Sequence, residues 1–353
     1  MPNGKGEFIM ETKVIEVDPL NIEEEKIKEA AQAIKEDKTV VFPTETVYGL
    51  GANGLSENAV RKIFEAKGRP YDNPLILHVS SVRSFLEYTY ISYALLEKIE
   101  RLLPGPITFV LKKREVVPDI VTAGKDTLAI RMPAHPVALK LIEYAEVPIA
   151  APSANISGKP SPTMSEHVLK DMLGKVDYII IGGKVEFGVE STIIDLTQGK
   201  IPIILRPGPI PPEKLKEIFG DIIIPDFVYG KIEPDYIKSP GMKYRHYAPN
   251  TPVILVEHDD ANTMVKKVLE EVKSYNNPLV LCLKEHVGYY KDHNINFDTI
   301  GSESNYYEFA VKLFEMLRKY DEKVDAMIIE GIEDKGIGIA VMNRLRKAAY
   351  HIL

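Results

Sequence analysis

The sequence predicts an α/β protein in two units. The first has a twisted mixed sheet with helices; the second is smaller and doubly wound. Three observations carry this. Helix-period segments and short apolar runs alternate through residues 13–224, but not as a clean strand–helix series. A stretch rich in Pro, Gly and Tyr, 225–250, then breaks the pattern as a linker or a functional loop. From Val253 the strand and helix signals become regular, as in a parallel doubly wound sheet.

Taken in order, residues 1–12 read as a disordered extension, polar and glycine-containing at first. Asn21 is placed to cap a helix whose first turn holds Glu23, Glu24 and Glu25, favourable at the positive end of the helix dipole. Ile27, Ala30, Ala31 and Ile34 recur there with helical spacing. A strand is expected at 39–42, a helix at 56–66, a strand at 75–79 and a helix at 94–103, stopped by Pro104-Gly105-Pro106. Strands follow at 107–111 and 128–132, then a helix from Pro136 to about Tyr144. The remainder of this unit reads as strands at 148–151, 178–181, 191–196 and 203–206, with helices at 165–173 and 211–219. In the second unit, 251–353, strands are expected at 253–256, 279–283 and 326–330, and helices at 261–275, 306–320 and 340–351.

Composition narrows the function. The chain has 353 residues, 45% hydrophobic and 27% charged, enough to bury a substantial core. Its net charge of −7 argues against a general nucleic-acid binder, so any polyanion must meet a local basic cluster. Cys282 stands alone, which excludes an intrachain disulfide and a Cys-rich metal site and fits a reducing cytoplasm. No apolar run of about 18 residues and no signal-peptide pattern occurs, so the expected location is cytoplasmic, with no membrane partner. The histidines show no metal-ligand spacing. No P-loop is present, and Gly336-Ile-Gly338 lacks a third glycine because Val341 takes its place, so it reads as a tight turn.

The informative stretch is 43–78. A strand runs into Pro43, then Thr44, Thr46 and Tyr48, then Gly49 and Gly51, where a backbone can approach a ligand closely. One helix later come Lys67, Arg69, Asn73 and His78, broken up by Gly68, Pro70 and Pro74, which place the cations on a rigid irregular segment. Arg131 precedes Met-Pro and Arg206 precedes Pro-Gly, so these basic residues too sit beside rigid turns. One such residue is ordinarily just solvated; several together suit a preorganised site for a substrate with several negative charges, such as a nucleoside triphosphate. Ser153-Ala-Asn155 and Glu190-Ser191-Thr192 read equally as turns or caps and as hydrogen-bond donors to a ligand. His78 on an apolar strand is by default a core histidine. The segment Lys243-Tyr-Arg-His-Tyr247 is either a solvated linker or a lid that stacks on a base and holds phosphates.

Pro43-Thr-Glu-Thr-Val-Tyr-Gly-Leu, Lys67-Gly-Arg-Pro with Asn73-Pro-Leu, Arg131-Met-Pro, Ala151-Pro-Ser-Ala-Asn155, Glu190-Ser-Thr, Arg206-Pro-Gly and Ser239-Pro-Gly-Met-Lys-Tyr-Arg-His-Tyr-Ala-Pro249 together resemble threonylcarbamoyl-AMP synthases of the long, two-domain form. The resemblance covers residues 13–353, with the motifs in the family's order. It implies a YrdC-like catalytic domain over 13–224, a linker or lid over 225–250 and a Rossmann-like domain over 251–353. The implied reaction joins L-threonine, bicarbonate and ATP into L-threonylcarbamoyl-AMP and pyrophosphate, with Mg²⁺ on the phosphates and no organic cofactor. The product would pass to the complex that threonylcarbamoylates tRNA beside the anticodon; direct tRNA binding is left open. By similarity, Thr44, Thr46, His78, Arg131 and Ser191 would hold threonine. Lys67, Arg69, Asn73, Ser153, Asn155, Arg206, Tyr244, His246 and Tyr247 would hold nucleotide or bicarbonate, with Lys67 and Arg69 catalytic. The family's Lys-x-Arg-Ser/Thr-x-Lys/Asn signature is altered here: Pro70 takes the Ser/Thr place and Asp72 the Lys/Asn place, with Asn73 one residue later.

Two other classes compete: an RNA-binding, translation-associated module without catalysis, and a sensor that binds nucleotide through its C-terminal unit alone. The net charge and the absence of an RNA-recognition or KH signature count against the first.

Overall fold

A computed structural model describes residues 10–232, 246–258 and 260–353. The first unit comprises β1 (Lys13–Glu16), α1 (Glu24–Lys35), β2 (Val40–Phe42), β3 (Gly49–Asn53), α2 (Glu57–Lys67), β4 (Ile76–His78), α3 (Arg83–Tyr88), β5 (Thr89–Tyr90) and α4 (Tyr93–Glu100). It continues with β6 (Ile107–Lys113), α5 (Asp119–Thr122), β7 (Thr127–Arg131), α6 (Pro136–Ala145), β8 (Ile149–Ala151), α7 (Ser165–Met172), β9 (Tyr178–Ile181), β10 (Thr192–Asp195), β11 (Ile203–Arg206) and α8 (Pro212–Phe219). The second comprises β12 (Val253–Val256), α9 (Ala261–Glu271), β13 (Pro278–Leu283), α10 (Val287–Asp292), β14 (Phe297–Gly301), α11 (Tyr306–Tyr320), β15 (Ala326–Glu330), α12 (Gly338–Ala348) and β16 (His351–Ile352).

The first sheet has 11 strands in the order β1-β9-β2-β3-β8-β4-β7-β6-β10-β11, with β5 on β6. It is mixed: β4 runs parallel to β7 and antiparallel to β8. Both faces are covered. Val40 and Phe42 pack with Ile27, Ile34 and Leu141 on one side, while Val41, between them, packs with Leu50, Phe64 and Leu77 on the other. That alternation is the two-residue period of a strand. The second sheet is all parallel, in the order β14-β13-β15-β12-β16. Ile254 and Val256 face Met264 and Val265 of α9, whereas Val253 and Leu255 face Phe314 and Leu345 of α11 and α12. Burial on both faces explains why these strands read as unbroken apolar runs. Numbered within the domain the order is 3-2-4-1-5, a Rossmann-like parallel sheet with β15 between β13 and β12, where the dinucleotide-binding order would be 3-2-1-4-5.

The structure corrects several expectations. Asn21 does not cap α1: the N-cap is Glu23, without a side-chain cap. Ser56 does cap α2, accepting from the Ala59 N–H. Lys67 is the last residue of α2, not part of an irregular segment, and Gly68 ends the helix at φ 60°. The space beside Gly51 is filled by protein. The residue lies in β3, where a Cβ would sit 2.5 Å from Ile149 Cγ2 and 2.7 Å from Phe42. This close packing between β2 and β8 is why a strand is built from residues with poor strand propensity. The last helix ends at Ala348, and the chain then adds β16 to the sheet edge.

The linker stretch begins inside the first unit. A 3₁₀ turn at Asp226–Tyr229 buries Val228 in that unit's core, and Asn343 of α12 donates to the Val228 carbonyl at 2.9 Å. Among the described residues, no helix is long and apolar enough to cross a membrane.

Candidate active site

The loop from β2 to β3 is organised by Thr44. Its hydroxyl donates to the Val47 carbonyl (2.6 Å), accepts from the Thr46 and Val47 N–H groups, and lies 3.0 Å from Thr46 Oγ1. Tyr48 pins the loop to the neighbouring β9 turn, donating to the Gly183 carbonyl and accepting from the Gly182 N–H. Between the threonines, Glu45 points inward and meets Arg131 at 2.7 Å, both buried. The contact is close but not aligned. Neither Glu45 oxygen, nor Nε or Nη2 of Arg131, has a hydrogen-bond partner among the described residues. Arg131 ends β7 in register with His78 of β4. The His78 ring faces the Ile76 carbonyl through Nδ1 at 3.1 Å, and burial, then the Arg131 charge, push its pKa down to about 3. It is neutral at physiological pH and is no counter-charge for an anion.

Lys67 reaches across from the end of α2. Its Nζ donates to the Ser153 and Asn155 carbonyls. Burial, with Arg69 nearby, pushes its pKa well below the usual lysine range. The Arg69 guanidinium is fixed by the Pro74 carbonyl (3.0 Å) and the Asn73 carbonyl (3.3 Å), and burial lowers its pKa to about 10. The side-chain oxygen of Asn73 is buried without a partner among the described residues. Ser153 donates to Asn155 Oδ1 at 2.5 Å, while the Asn155 amide donates to the Ile156 and Lys159 carbonyls. Asn155 is thus spent on shaping its loop.

On the opposite wall, Arg206 grips Ser191 twice: Nε to its carbonyl and Nη2 to its hydroxyl, each at 3.0 Å. Thr108 of β6 lies 2.8 Å from the same hydroxyl. Gly208 lets the turn close against β10, since a Cβ there would sit 2.3 Å from the Thr192 nitrogen. Glu190 accepts from Ser161 and from Arg344 of α12, the latter at 2.9 Å. Tyr247, at φ 66°, stacks on Phe314 and lies under the Arg344 guanidinium. His246 is buried and its pKa falls to about 3, chiefly through burial. Tyr244 lies outside the described residues.

These walls enclose a cleft of about 540 Å³, including solvent-continuous space. Thr44, Thr46, Arg69, His78, Arg131, Ser153, Arg206, His246 and Tyr247 line it. Lys67, Asn73, Asn155 and Ser191 are buried outside that lining, and Lys67 and Ser191 hydrogen-bond to groups of its walls. Three guanidinium groups and one carboxylate, Glu190, are in the lining, with Glu45 behind Arg131; the Glu190 pKa is lowered to about 2 by Arg344 and Arg206 against the opposing effect of burial. Such a surplus of buried positive charge suits a polyanion. Among the described residues no group of three or more His, Cys, Asp or Glu is placed to hold a metal ion. Sequence reasoning missed Glu45, Thr108 and Arg344. A carboxylate between two hydroxyls was a usable signal for Glu45; Arg344 carries none locally.

Comparison with known proteins places the whole chain in one family. A family model described as "Telomere recombination" matches residues 32–208, and one described as "Threonylcarbamoyl-AMP synthase, C-terminal domain" matches 210–350. The chain is 50% identical to the threonylcarbamoyl-AMP synthase of Pyrococcus abyssi, over 94% of this chain and 96% of that one. It is 41% identical to the Bacillus subtilis protein of that name, over 94% and 95%. The crystal structure of P. abyssi Sua5 complexed with L-threonine superposes with a TM-score of 0.86 at 47% identity, covering 97% of this chain and 98% of that one. E. coli YciO matches 56% of this chain and 96% of its own, with a TM-score of 0.50 and 25% identity.

Proposed function

The chain belongs to the threonylcarbamoyl-AMP synthase family, and on that premise we propose that its cleft condenses L-threonine, bicarbonate and ATP into L-threonylcarbamoyl-AMP and pyrophosphate. The observation that carries this reading is the convergence of Arg69, Arg131 and Arg206 in one buried cleft against a single lining carboxylate. The amine of threonine attacks the carbon of bicarbonate as the free base; the new N–C bond forms as one C–O bond breaks and water leaves, giving a carbamate. A carbamate oxygen then attacks the α-phosphorus, and the bond to pyrophosphate breaks. No covalent enzyme intermediate is required. Catalysis is positioning plus neutralisation of charge at the α-phosphate of a transferring adenylyl group and on the departing pyrophosphate.

The residues divide by position. Arg131, beside neutral His78 and the Thr44–Thr46 loop, faces the amino acid; its unaligned contact with Glu45 leaves the guanidinium fork available to a carboxylate. Arg69, Arg206 and, behind them, Lys67 form the basic wall for phosphates and bicarbonate. Magnesium enters as part of the ATP substrate, neutralising phosphate charge. His246 and Tyr247 close one side, which keeps water from a labile carbamoyl adenylate. The product passes to the complex that transfers the threonylcarbamoyl group to tRNA beside the anticodon, and the lone Cys282 fits a cytoplasmic location.

The test uses labelled bicarbonate with L-threonine and ATP, reading pyrophosphate and the labelled adenylate. Both should appear only when threonine is present; pyrophosphate release indifferent to threonine would overturn the reading. Lys67→Ala and Arg69→Ala should each lower turnover by about 100-fold or more, the scale of losing a preorganised charged donor. Far-ultraviolet circular dichroism should remain native, and activity loss explained by unfolding would remove the assignment.

A further inference from the structure

The cleft is built mainly by the first unit, yet one helix of the second reaches its wall. Arg344 of α12 is 1% exposed, and its Nε bonds Glu190, a cleft-lining residue 154 positions away. Its guanidinium also covers the ring of Tyr247, another lining residue, at 5.5 Å. One turn further on, the Lys347 carbonyl accepts from the His246 N–H. The loop that bears Glu190 is itself wedged into the second unit. Gly188, at φ 73°, leaves no room for a Cβ, which would meet the Ala310 carbonyl at 2.5 Å, and Val189 packs in that unit's core. Glu190 adjoins Ser191, the residue that Arg206 grips by both carbonyl and hydroxyl.

We propose that Arg344 is a positioning residue for the nucleotide wall: by holding the Glu190 carboxylate, with Ser161, it keeps that negative charge from cancelling Arg206, and it fixes Tyr247 over the cleft. The inference rests on the reading above, that the cleft takes ATP. Two observations separate this role from a plain structural strut. The carboxylate held by Arg344 is the only acid among the described lining residues of a cleft proposed to take a polyanion. Arg344 Nη2 is also buried with no hydrogen-bond partner among the described residues, an arrangement that a strut chosen for stability alone would not favour. With Arg344 gone, Glu190 is left beside Arg206 without its main partner, and the electrostatic gain from bringing phosphates there is lost.

The test compares full-length wild type with Arg344→Met, Arg344→Lys, Glu190→Gln and the Arg344→Met/Glu190→Gln double variant, each checked for native thermal unfolding. Michaelis constants for ATP and threonine are measured separately. In Arg344→Met the ATP constant should rise about tenfold while that for threonine moves less than about twofold; the double variant should recover most of the loss because both charges go together. An unchanged ATP constant in folded Arg344→Met, or a double variant no better than the single, overturns the proposal. If Arg344→Met does not fold, Arg344→Lys decides: it keeps the charge but not the fork, so a selective rise of about threefold in the ATP constant supports the proposal and no selective rise refutes it. Wild-type enzyme without threonine-dependent pyrophosphate release would instead count against the activity itself, so the two failures are distinguishable.

Discussion

Lys67 shows at the scale of one residue how burial prepares a binding group. Its ammonium is held by two carbonyls in a site that also contains Arg69, and it is harder to protonate than an exposed lysine. If the cleft takes ATP as proposed, a bound triphosphate would bring negative charge near Lys67 and raise its pKa again. Nucleotide binding should therefore take up protons between the lowered pKa of the free enzyme and the raised pKa of the complex. Affinity should fall as pH rises through that window. Calorimetry in buffers of different ionisation enthalpy, above the range in which the triphosphate itself titrates, reads this directly; binding without proton uptake would contradict it. Arg131 makes the complementary case. Arg131→Ala leaves Glu45 buried and without its charge partner, which costs about 3–5 kcal/mol. Urea unfolding should show that loss as a lower midpoint with an unchanged slope. A shift below about 1 kcal/mol would mean the pair carries little of the fold. The identities of these residues were legible in the sequence, since hydroxyls, cations and rigid turns recur together. Their protonation was not, because a pKa depends on neighbours that only folding brings close.

The elements place these groups by strand ends and tight turns. Register puts His78 beside Arg131 at the ends of β4 and β7, and the β2–β3 loop lies over them through the Glu45–Arg131 contact. The turn after β11 returns Arg206 to Ser191 at the start of β10, and Gly208 permits it. Gly208→Ala should cost about 1–3 kcal/mol, because the new Cβ meets backbone that cannot rotate away. It should also weaken ATP binding by displacing the Arg206–Ser191 contact, read as a raised ATP Michaelis constant. A variant with native stability and native kinetics would show that the turn has slack. At this scale the long elements were legible from periodicity: α1, α2, α6, α11, β6, β12, β13 and β15 all fall on expected segments. The short ones were not. β3 reads as loop because its glycines answer to Phe42 and Ile149 rather than to strand propensity. β14, β16, α3, α5 and α10 are short and owe their form to the neighbours they pair or pack with.

For the whole molecule, the two units share more than a connecting chain. Arg344 bonds Glu190, Arg318 bonds Asp171 and the Pro160 carbonyl, and Arg346 bonds the Tyr229 carbonyl as well as Glu257 and Asp334. Removing residues 230–353 would strip Glu190 and Asp171 of their partners, expose Val189 and take away His246 and Tyr247. The truncated chain should therefore lose nearly all threonine-dependent pyrophosphate release even where its circular dichroism stays native. Undiminished turnover would show that the first unit acts alone. The sequence by itself determined the α/β class, the division into two units, the ordered motifs and the chemical character of the site, because these follow from local periodicity and from residue types at fixed short spacings. Only the tertiary structure decided that Lys67 is buried and hard to protonate, that Glu45 answers Arg131, and that a helix of the second unit supplies Arg344 to hold Glu190 of the cleft wall. Those partnerships join residues far apart in the chain, and their strength is set by burial and low local dielectric, which no stretch of sequence has until the chain closes on itself.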